Sequence, residues 1–235
     1  MEGMYCYKYP HPAVTTDCVV FGYDPNDGLS VLLIRRGIEP FKDCWALPGG
    51  FVRIDEEVEA CARRELNEET GLQLSHLSDL KELGCYSGVN RDPRERVITI
   101  AYYQLVRKSE VKGGDDAKEA RWFPVDNLPE FSFDHKKIVE DAIERLNRDI
   151  YFEPIGFNIL PEVFTMPQLY KLYKSILKVD FDRRNFANKM MKLGVVGEVG
   201  NRPQDASRRT PIQYMFNKER YDMLRKAKKA FRLEF

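Results

Sequence analysis

Residues 50–72 read GFVRIDEEVEACARRELNEETGL, and this stretch decides the fold of the N-terminal part of the 235-residue chain. Apolar residues at helical spacing predict a helix from Glu56 to Thr70, with Asp55 as its N-cap and Gly71 just past its end. The apolar stripe of the predicted helix consists of Val58, Cys61, Ala62 and Leu66.

Three glutamates follow one side of this helix. At about 100° per residue Glu65, Glu68 and Glu69 cluster, and Glu65 and Glu69 fall within the arc of the apolar stripe. Carboxylates directed toward the protein body are costly unless something neutralises them, and Mg²⁺, which takes oxygen ligands along with water and substrate phosphates, is a natural partner. Arg64 could orient one carboxylate. A solvated acidic face is the alternative, and spacing alone does not separate the two interpretations.

The same stretch matches, without a gap, the pattern G-x5-E-x7-R-E-U-x-E-E-x-G-U, in which U is a bulky aliphatic residue. Its nine defined positions are occupied by Gly50, Glu56, Arg64, Glu65, Leu66, Glu68, Glu69, Gly71 and Leu72. This pattern resembles the Nudix box, and the preceding Trp45 to Gly50 run resembles the segment that leads into it. The resemblance implies an α/β fold, the Nudix α/β/α sandwich with a mixed sheet.

The resemblance also implies a site and a reaction. It implies that Mg²⁺ or Mn²⁺ would be bound by Glu65, Glu68, Glu69 and a backbone carbonyl near Gly49. It implies that Glu56 would support the site and that Arg64 would hold the glutamates in place. The reaction would be metal-assisted attack of water on a phosphorus atom of a nucleoside diphosphate that is linked to another moiety.

An arginine-rich segment follows the box. Residues 88–103 resemble the corresponding segment in the ADP-ribose-processing and regulator branches of Nudix proteins. Candidate substrate-binding residues are Arg91, Arg94 and Arg96, whose guanidinium groups suit phosphate oxygens, and Arg35 at the end of a predicted strand. An ordinary arginine-rich loop is the alternative interpretation. Cys61 is expected to be a small core residue, and the three histidines are expected to be structural or solvated.

Strand signals surround the box. Alternating or β-branched runs predict strands at residues 13–23, 30–36, 80–87, 96–107 and 120–125, with extended chain at 45–53. Residues 134–148 predict an amphipathic helix whose stripe contains Ile138, Ala142, Ile143 and Leu146. Mixed strands with two helices, rather than a regular β-α-β alternation, favour a layered α/β domain.

The zero net charge of the chain hides two opposite halves. Residues 1–150 carry 20 basic and 28 acidic side chains, a charge of −8, while residues 151–235 carry 17 basic and 9 acidic side chains, a charge of +8. Such asymmetry indicates different partners for the two parts. We therefore expect a Nudix domain at 1–150 and a second domain at 151–235, separated by turn-forming residues near Pro154.

The second half has the outline of a winged helix-turn-helix. Thr165 and Asp182 cap predicted helices that end at Leu177 and Leu193, and two short strands at 195–199 and 212–216 enclose a basic loop. A basic helix is predicted from Lys218 to Phe235. The expected DNA-contacting residues are Arg183, Arg184, Asn188, Lys189, Lys192, Arg202, Arg208 and Arg209. A basic, solvated helix in a small packing domain is the alternative.

Residues 152–186 resemble the C-terminal winged-helix domain of Nudix-related transcriptional regulators, a branch that includes NAD-metabolism repressors and an arabinose-responsive regulator. That resemblance implies a homodimer that binds double-stranded DNA and senses ADP-ribose or a sugar. Two other hypotheses stay open: a ligand-sensing regulator without catalysis, and a plain hydrolase whose second domain only mediates dimerisation. Regulators of this branch often have an eroded box, so the intact box here favours retained hydrolysis.

The composition is that of a globular protein. The sequence contains no apolar run near the length of about 18 residues that a membrane span needs, and no secretion signal is evident at its beginning. Its five cysteines form no C-x-x-C pair, which favours unpaired thiols in a reducing compartment. We therefore expect a cytoplasmic protein without a membrane partner.

Overall fold

The computed structural model describes residues 7–74, 80–114, 117–153, 155–156, 159–199 and 211–227. The chain forms two compact units. One contains the chain up to Phe21, together with Val31–Gln104 and Ser109–Ala142, and the other contains Gly22–Ser30, Leu105–Lys108 and the chain from Ile143 onward. The sequence-based boundary at residue 150 remains a prediction.

A six-stranded mixed sheet forms the centre of the N-terminal fold. Its strands are β1 (Ala13–Asp24), β2 (Gly28–Arg36), β3 (Trp45–Ala46), β4 (Lys81–Tyr86), β5 (Val97–Arg107) and β6 (Ala117–Pro124). The strand order is β3-β2-β1-β5-β4, with β6 also paired to β2. The predicted strands are therefore present, but the extended run predicted at 45–53 contributes only two residues to a strand. Beyond β3 this segment instead follows β1 through single hydrogen bonds.

The two helices of this fold are α1 (Val58–Thr70) and α2 (His135–Asp149). α1 ends as predicted, with Gly71 in the left-handed conformation at φ 69°. Its start was predicted wrongly: Glu57 is the N-cap, without a side-chain cap bond, and Asp55 and Glu56 precede the helix. The reason is that the carboxylate of Glu56 is held by Arg64, which keeps residue 56 in a turn before the helix.

The helices lie on opposite faces of the sheet, as the alternation of side chains along β1 shows. Thr16 and Cys18 contact Cys61 and Ala62 of α1. Asp17, which lies between them, points to the other face and approaches His135 at the start of α2. The predicted α/β/α sandwich is therefore confirmed.

The C-terminal unit contains a helix-turn-helix and a three-stranded sheet. Its elements are β7 (Val163–Thr165), α3 (Met166–Leu177), α4 (Arg183–Leu193), β8 (Val196–Glu198), β9 (Gln213–Phe216) and α5 (Lys218–Ala227), and the sheet order is β7-β9-β8. Asp182 caps α4 by accepting a hydrogen bond from the Asn185 backbone, as predicted. β7 was not predicted, because three residues are too few to show a strand pattern.

Aromatic packing joins α3 to α4. Phe186 of α4 is fully buried, and its ring lies 5.3–5.6 Å from the rings of Tyr170, Tyr173 and Phe181. The contacts with Tyr170 and Tyr173 are edge-to-face, and such pairs add to the free energy gained by burying the rings. Among the described residues no helix is both long and apolar enough to cross a membrane.

We predict that Phe186→Ala lowers the free energy of unfolding of the C-terminal unit by about 3–5 kcal/mol, because it leaves a cavity between α3 and α4. Urea denaturation monitored by circular dichroism measures this loss. Phe152→Ala, at a ring that is 54% exposed, is the matched control and should change stability by less than about 0.5 kcal/mol. Equal losses in the two variants would contradict the packing role of Phe186.

Candidate functional site

A cavity of about 280 Å³ opens between α1, β1 and the loop that follows β3. Its floor is acidic and includes Glu65, Glu68 and Glu69 of α1, whereas its walls carry arginines and aromatic rings. The charged and aromatic lining residues outside α1 are Asp17, Arg36, Phe51, Arg53, Arg91, Asp92, Arg94, Phe133 and His135.

The guanidinium of Arg64 holds three carboxylates together. It binds both oxygens of Glu56 at 2.7 Å and also donates to Glu65 at 2.7 Å and to Glu68 at 2.9 Å. These charge-assisted bonds lower the pKa of Glu56 to about 2, since the bound guanidinium favours the ionised carboxyl group. Burial acts in the opposite direction on Glu65 and raises the pKa of its carboxyl group.

Glu69 is the most buried of the three glutamates of α1 that line the cavity. Glu69 is only 6% exposed, and its carboxylate accepts a hydrogen bond of 2.9 Å from the backbone N–H of Gly49. Burial raises the pKa of Glu69 to about 8. A bound divalent cation would favour the ionised form of this carboxyl group, because an opposite charge offsets the cost of burial.

Two glycines of the loop lie close to other groups, Gly49 to the backbone of β1 and Gly50 to the side chain of Glu65. A Cβ atom on Gly49 would lie 2.0 Å from the backbone oxygen of Thr16, and one on Gly50 would lie 2.4 Å from the carboxyl carbon of Glu65. The carbonyls of Pro48 and Gly50 on either side accept hydrogen bonds from β1. Gly49, between them, turns its N–H to Glu69.

The donor set suits a hard divalent cation. Glu65, Glu68 and Glu69 supply carboxylate oxygens beside the backbone of Gly49. Within the described ranges, no three His, Cys, Asp or Glu side chains converge as a ready-made metal cluster. The three carboxylates are hydrogen-bonded to different partners instead. Arg64 donates to Glu65 and Glu68, and the backbone N–H of Gly49 donates to Glu69.

The predicted substrate-binding arginines divide into two groups. Arg91 and Arg94 line the cavity, whereas Arg35 and Arg96 are absent from its lining and bond to backbone carbonyls elsewhere. Arg94 is held by both oxygens of Asp92. The substrate-binding roles of the four arginines remain predictions.

Arg91 lines the cavity and also links β1 to the start of α2 through two carboxylates. Its side chain is 5% exposed and binds Asp134 through two hydrogen bonds and Asp17 through one of 3.2 Å. His135 Nε2 lies 3.4 Å from Asp17, and its Nδ1 accepts a hydrogen bond from the Leu47 backbone. Burial lowers the pKa of His135, which therefore favours its neutral form.

Sequence reasoning missed several members of this site. Asp17 had a detectable signal, because it is a charged residue inside an otherwise apolar or β-branched strand. His135 is structural, as expected, but its place in the cavity follows only from the packing of α2. Phe51 is 40% exposed at the rim, where the guanidinium of Arg94 lies 5.2 Å from its ring centroid. No local pattern indicated this pair.

The predicted DNA-contacting residues of α4 lie mainly on its outer surface. Arg184, Asn188 and Lys192 are exposed, while Lys189 is half-buried. Arg183 is exposed at the helix start, and its guanidinium lies 5.4 Å from the ring centroid of Tyr170. The predicted loop residues Arg202, Arg208 and Arg209 lie outside the described residues.

Comparison with known families agrees with these features. Residues 11–142 match the NUDIX domain, and residues 156–216 match the NrtR DNA-binding winged helix domain. The chain therefore belongs to the Nudix family. It combines the Nudix domain with a C-terminal winged helix of the NrtR type, which confirms both resemblances seen in the sequence.

Three relatives illustrate the relationship. The chain is 31% identical over 219 residues to the ADPR responsive transcriptional repressor NtrR of Acinetobacter baylyi, covering 91% of this chain and 86% of that protein. It is 47% identical over 139 residues to the ADP-ribose pyrophosphatase of Methanocaldococcus jannaschii, covering 59% of this chain and 78% of that enzyme. The structure of Shewanella oneidensis NrtR complexed with a 27mer DNA aligns with a TM-score of 0.70 at 25% identity, covering 89% and 95% of the two chains.

We predict that Arg64→Gln destabilises the protein by about 3 kcal/mol in metal-free buffer, because it leaves clustered carboxylates without their shared partner. Urea denaturation with a chelator present measures the change. Arg63→Gln is the matched control: Arg63 pairs with the half-exposed Glu59 on the same helix and should cost less than about 1 kcal/mol. A similar cost for both variants would show that Arg64 is an ordinary surface ion pair.

Proposed function

We propose that this protein is an ADP-ribose-responsive transcriptional regulator whose Nudix domain also hydrolyses ADP-ribose or a similar nucleoside diphosphate derivative. The observation that carries the proposal is a cavity lined by Glu65, Glu68 and Glu69, in a chain that also has a winged helix. Arg64 binds Glu65 and Glu68 there, and the backbone N–H of Gly49 binds Glu69. The names of the relatives from A. baylyi and M. jannaschii support ADP-ribose as the ligand.

The cavity has the chemistry that such a ligand requires. Its guanidinium groups suit diphosphate oxygens, and the exposed ring of Phe51 at its rim offers a surface for stacking a nucleobase. Arg53, whose side chain is 60% exposed and lies 3.9 Å from Glu68, is a further candidate for phosphate contact.

The metal is proposed to be Mg²⁺ or Mn²⁺, held by Glu65, Glu68, Glu69 and the Gly49 backbone. When bound, it would neutralise phosphate oxygens and lower the pKa of the attacking water. The residues of this chain do the rest: Arg64 fixes the carboxylates, and Gly50 leaves room for the carboxylate of Glu65. Glu56 anchors Arg64 from the turn before the helix.

We predict that purified protein with Mg²⁺ releases AMP from ADP-ribose and that Glu69→Gln lowers kcat at least about a hundredfold, because one anionic oxygen donor is lost. Chromatographic detection of AMP measures this. Glu59→Gln, which makes the same change at an exposed position of α1, should retain activity. Absence of turnover by the unaltered protein, with ADP-ribose binding retained, would favour the regulator that senses without catalysis.

The DNA-binding role is proposed for the C-terminal unit. Its net positive charge suits the phosphate backbone, and α4 presents arginine, asparagine and lysine side chains on one exposed surface. We further propose a homodimer, since a two-fold arrangement of recognition helices matches operators with paired half-sites.

A cytoplasmic location is supported by the four described cysteines, all of which are free thiols.

We predict that Arg184→Ala weakens binding to the DNA upstream of the protein's own gene by about tenfold and that binding by the unaltered protein falls as salt rises, because phosphate contacts release counterions. Fluorescence anisotropy across a salt series measures both effects. Lys136→Ala removes one positive charge from an exposed position of α2 and should leave binding unchanged. Absent or salt-independent binding would contradict the regulator assignment.

A further inference from the structure

Two consecutive methionines of α4 have opposite environments. Met190 is 1% exposed and packs in the core of the C-terminal unit, whereas Met191 is 39% exposed. A single exposed apolar residue is common on protein surfaces. Met191, however, lies among polar and basic residues on the outer surface of this helix.

The buried side of α4 is defined by Phe186 and Met190. At about 100° per residue, Arg184, Asn188 and Met191 lie within about 60° of one another on the opposite side. They follow each other at intervals of four and three residues, which is one helical turn at each step. Asn188 points most directly away from the buried side, and Arg184 and Met191 lie beside it on the outward surface, about 40° and about 60° away.

Each of these three side chains suits a different feature of a base edge. Arginine pairs with the acceptors of guanine, and asparagine pairs with adenine, while an apolar side chain contacts the 5-methyl group of thymine. From residue 184 to 191 the helix rises about 10 Å, the length of about three base-pair steps. The three side chains can therefore face neighbouring base pairs in one major groove.

We propose that Met191 is a specificity-determining residue that contacts the 5-methyl group of thymine and so selects a T·A pair beside the bases faced by Asn188 and Arg184. This inference rests on the proposed DNA-binding function of the C-terminal unit. Lys192, also exposed, follows directly and is suited to an adjacent phosphate. The apolar contact thus lies within a surface that is otherwise polar or charged.

Removal of the methyl group from DNA tests the proposal. Duplexes are first selected by the full-length protein from a random library, and each thymine of the selected sequence is then replaced singly by uracil, which lacks only that methyl group. The unaltered protein should lose about fourfold in affinity at one position of each half-site, the effect of one buried methyl group. Met191→Ala should bind the thymine and uracil duplexes equally, and Met191→Leu should restore the discrimination.

Met223→Ala is the matched control, because Met223 of α5 is 59% exposed and does not belong to α4. This variant should keep the full discrimination of thymine from uracil. Indifference of the unaltered protein to every replacement would overturn the proposal, as would a selected half-site without a T·A pair, or a Met191→Ala variant that still discriminates. Absence of any DNA binding would overturn the proposed function itself and this inference with it.

Discussion

The guanidinium of Arg64 is shared by three carboxylates, and the geometry of the Nudix domain site depends on this sharing. Glu56 reaches it from the turn before α1, while Glu65 and Glu68 reach it from the helix itself. Because a paired charge tolerates burial far better than a lone one, the cluster can lie in a cavity wall. Gly50 of the preceding loop passes close to the carboxyl group of Glu65.

Strand β1 supports the site from two sides. Its backbone N–H groups at Thr16 and Cys18 hold the loop that carries Gly49, and its Asp17 side chain binds Arg91 and approaches His135 on the other face. A loop that carries functional groups is thereby fixed to a buried, hydrogen-bonded strand. This arrangement gives the cavity an acidic floor and a wall of basic and aromatic side chains.

The two parts of the chain carry net charges of opposite sign. In the N-terminal part the excess of carboxylates includes the cluster around Arg64, where cation binding is favourable. In the C-terminal part, basic side chains occupy the outer surface of α4. Phe186 and neighbouring aromatic rings form the core between α3 and α4. The net charge of zero is therefore the sum of an acidic part and a basic part, and it does not mean that charge is evenly distributed.

Elements with local signals could be predicted from the amino-acid sequence alone. These are the helix ending at Gly71, the cap at Asp182, most strands, and the group of box residues, because periodicity, caps and the box spacing can be read along a single segment. Only the tertiary structure decided that Asp17 and His135 join the cavity, that Arg91 is tied to two carboxylates, and that Arg35 and Arg96 stay outside its lining. It also placed the start of α1 after Glu56, whose two carboxylate oxygens bind Arg64 from the turn before the helix. Contacts between residues far apart in sequence depend on packing, and no local pattern encodes them.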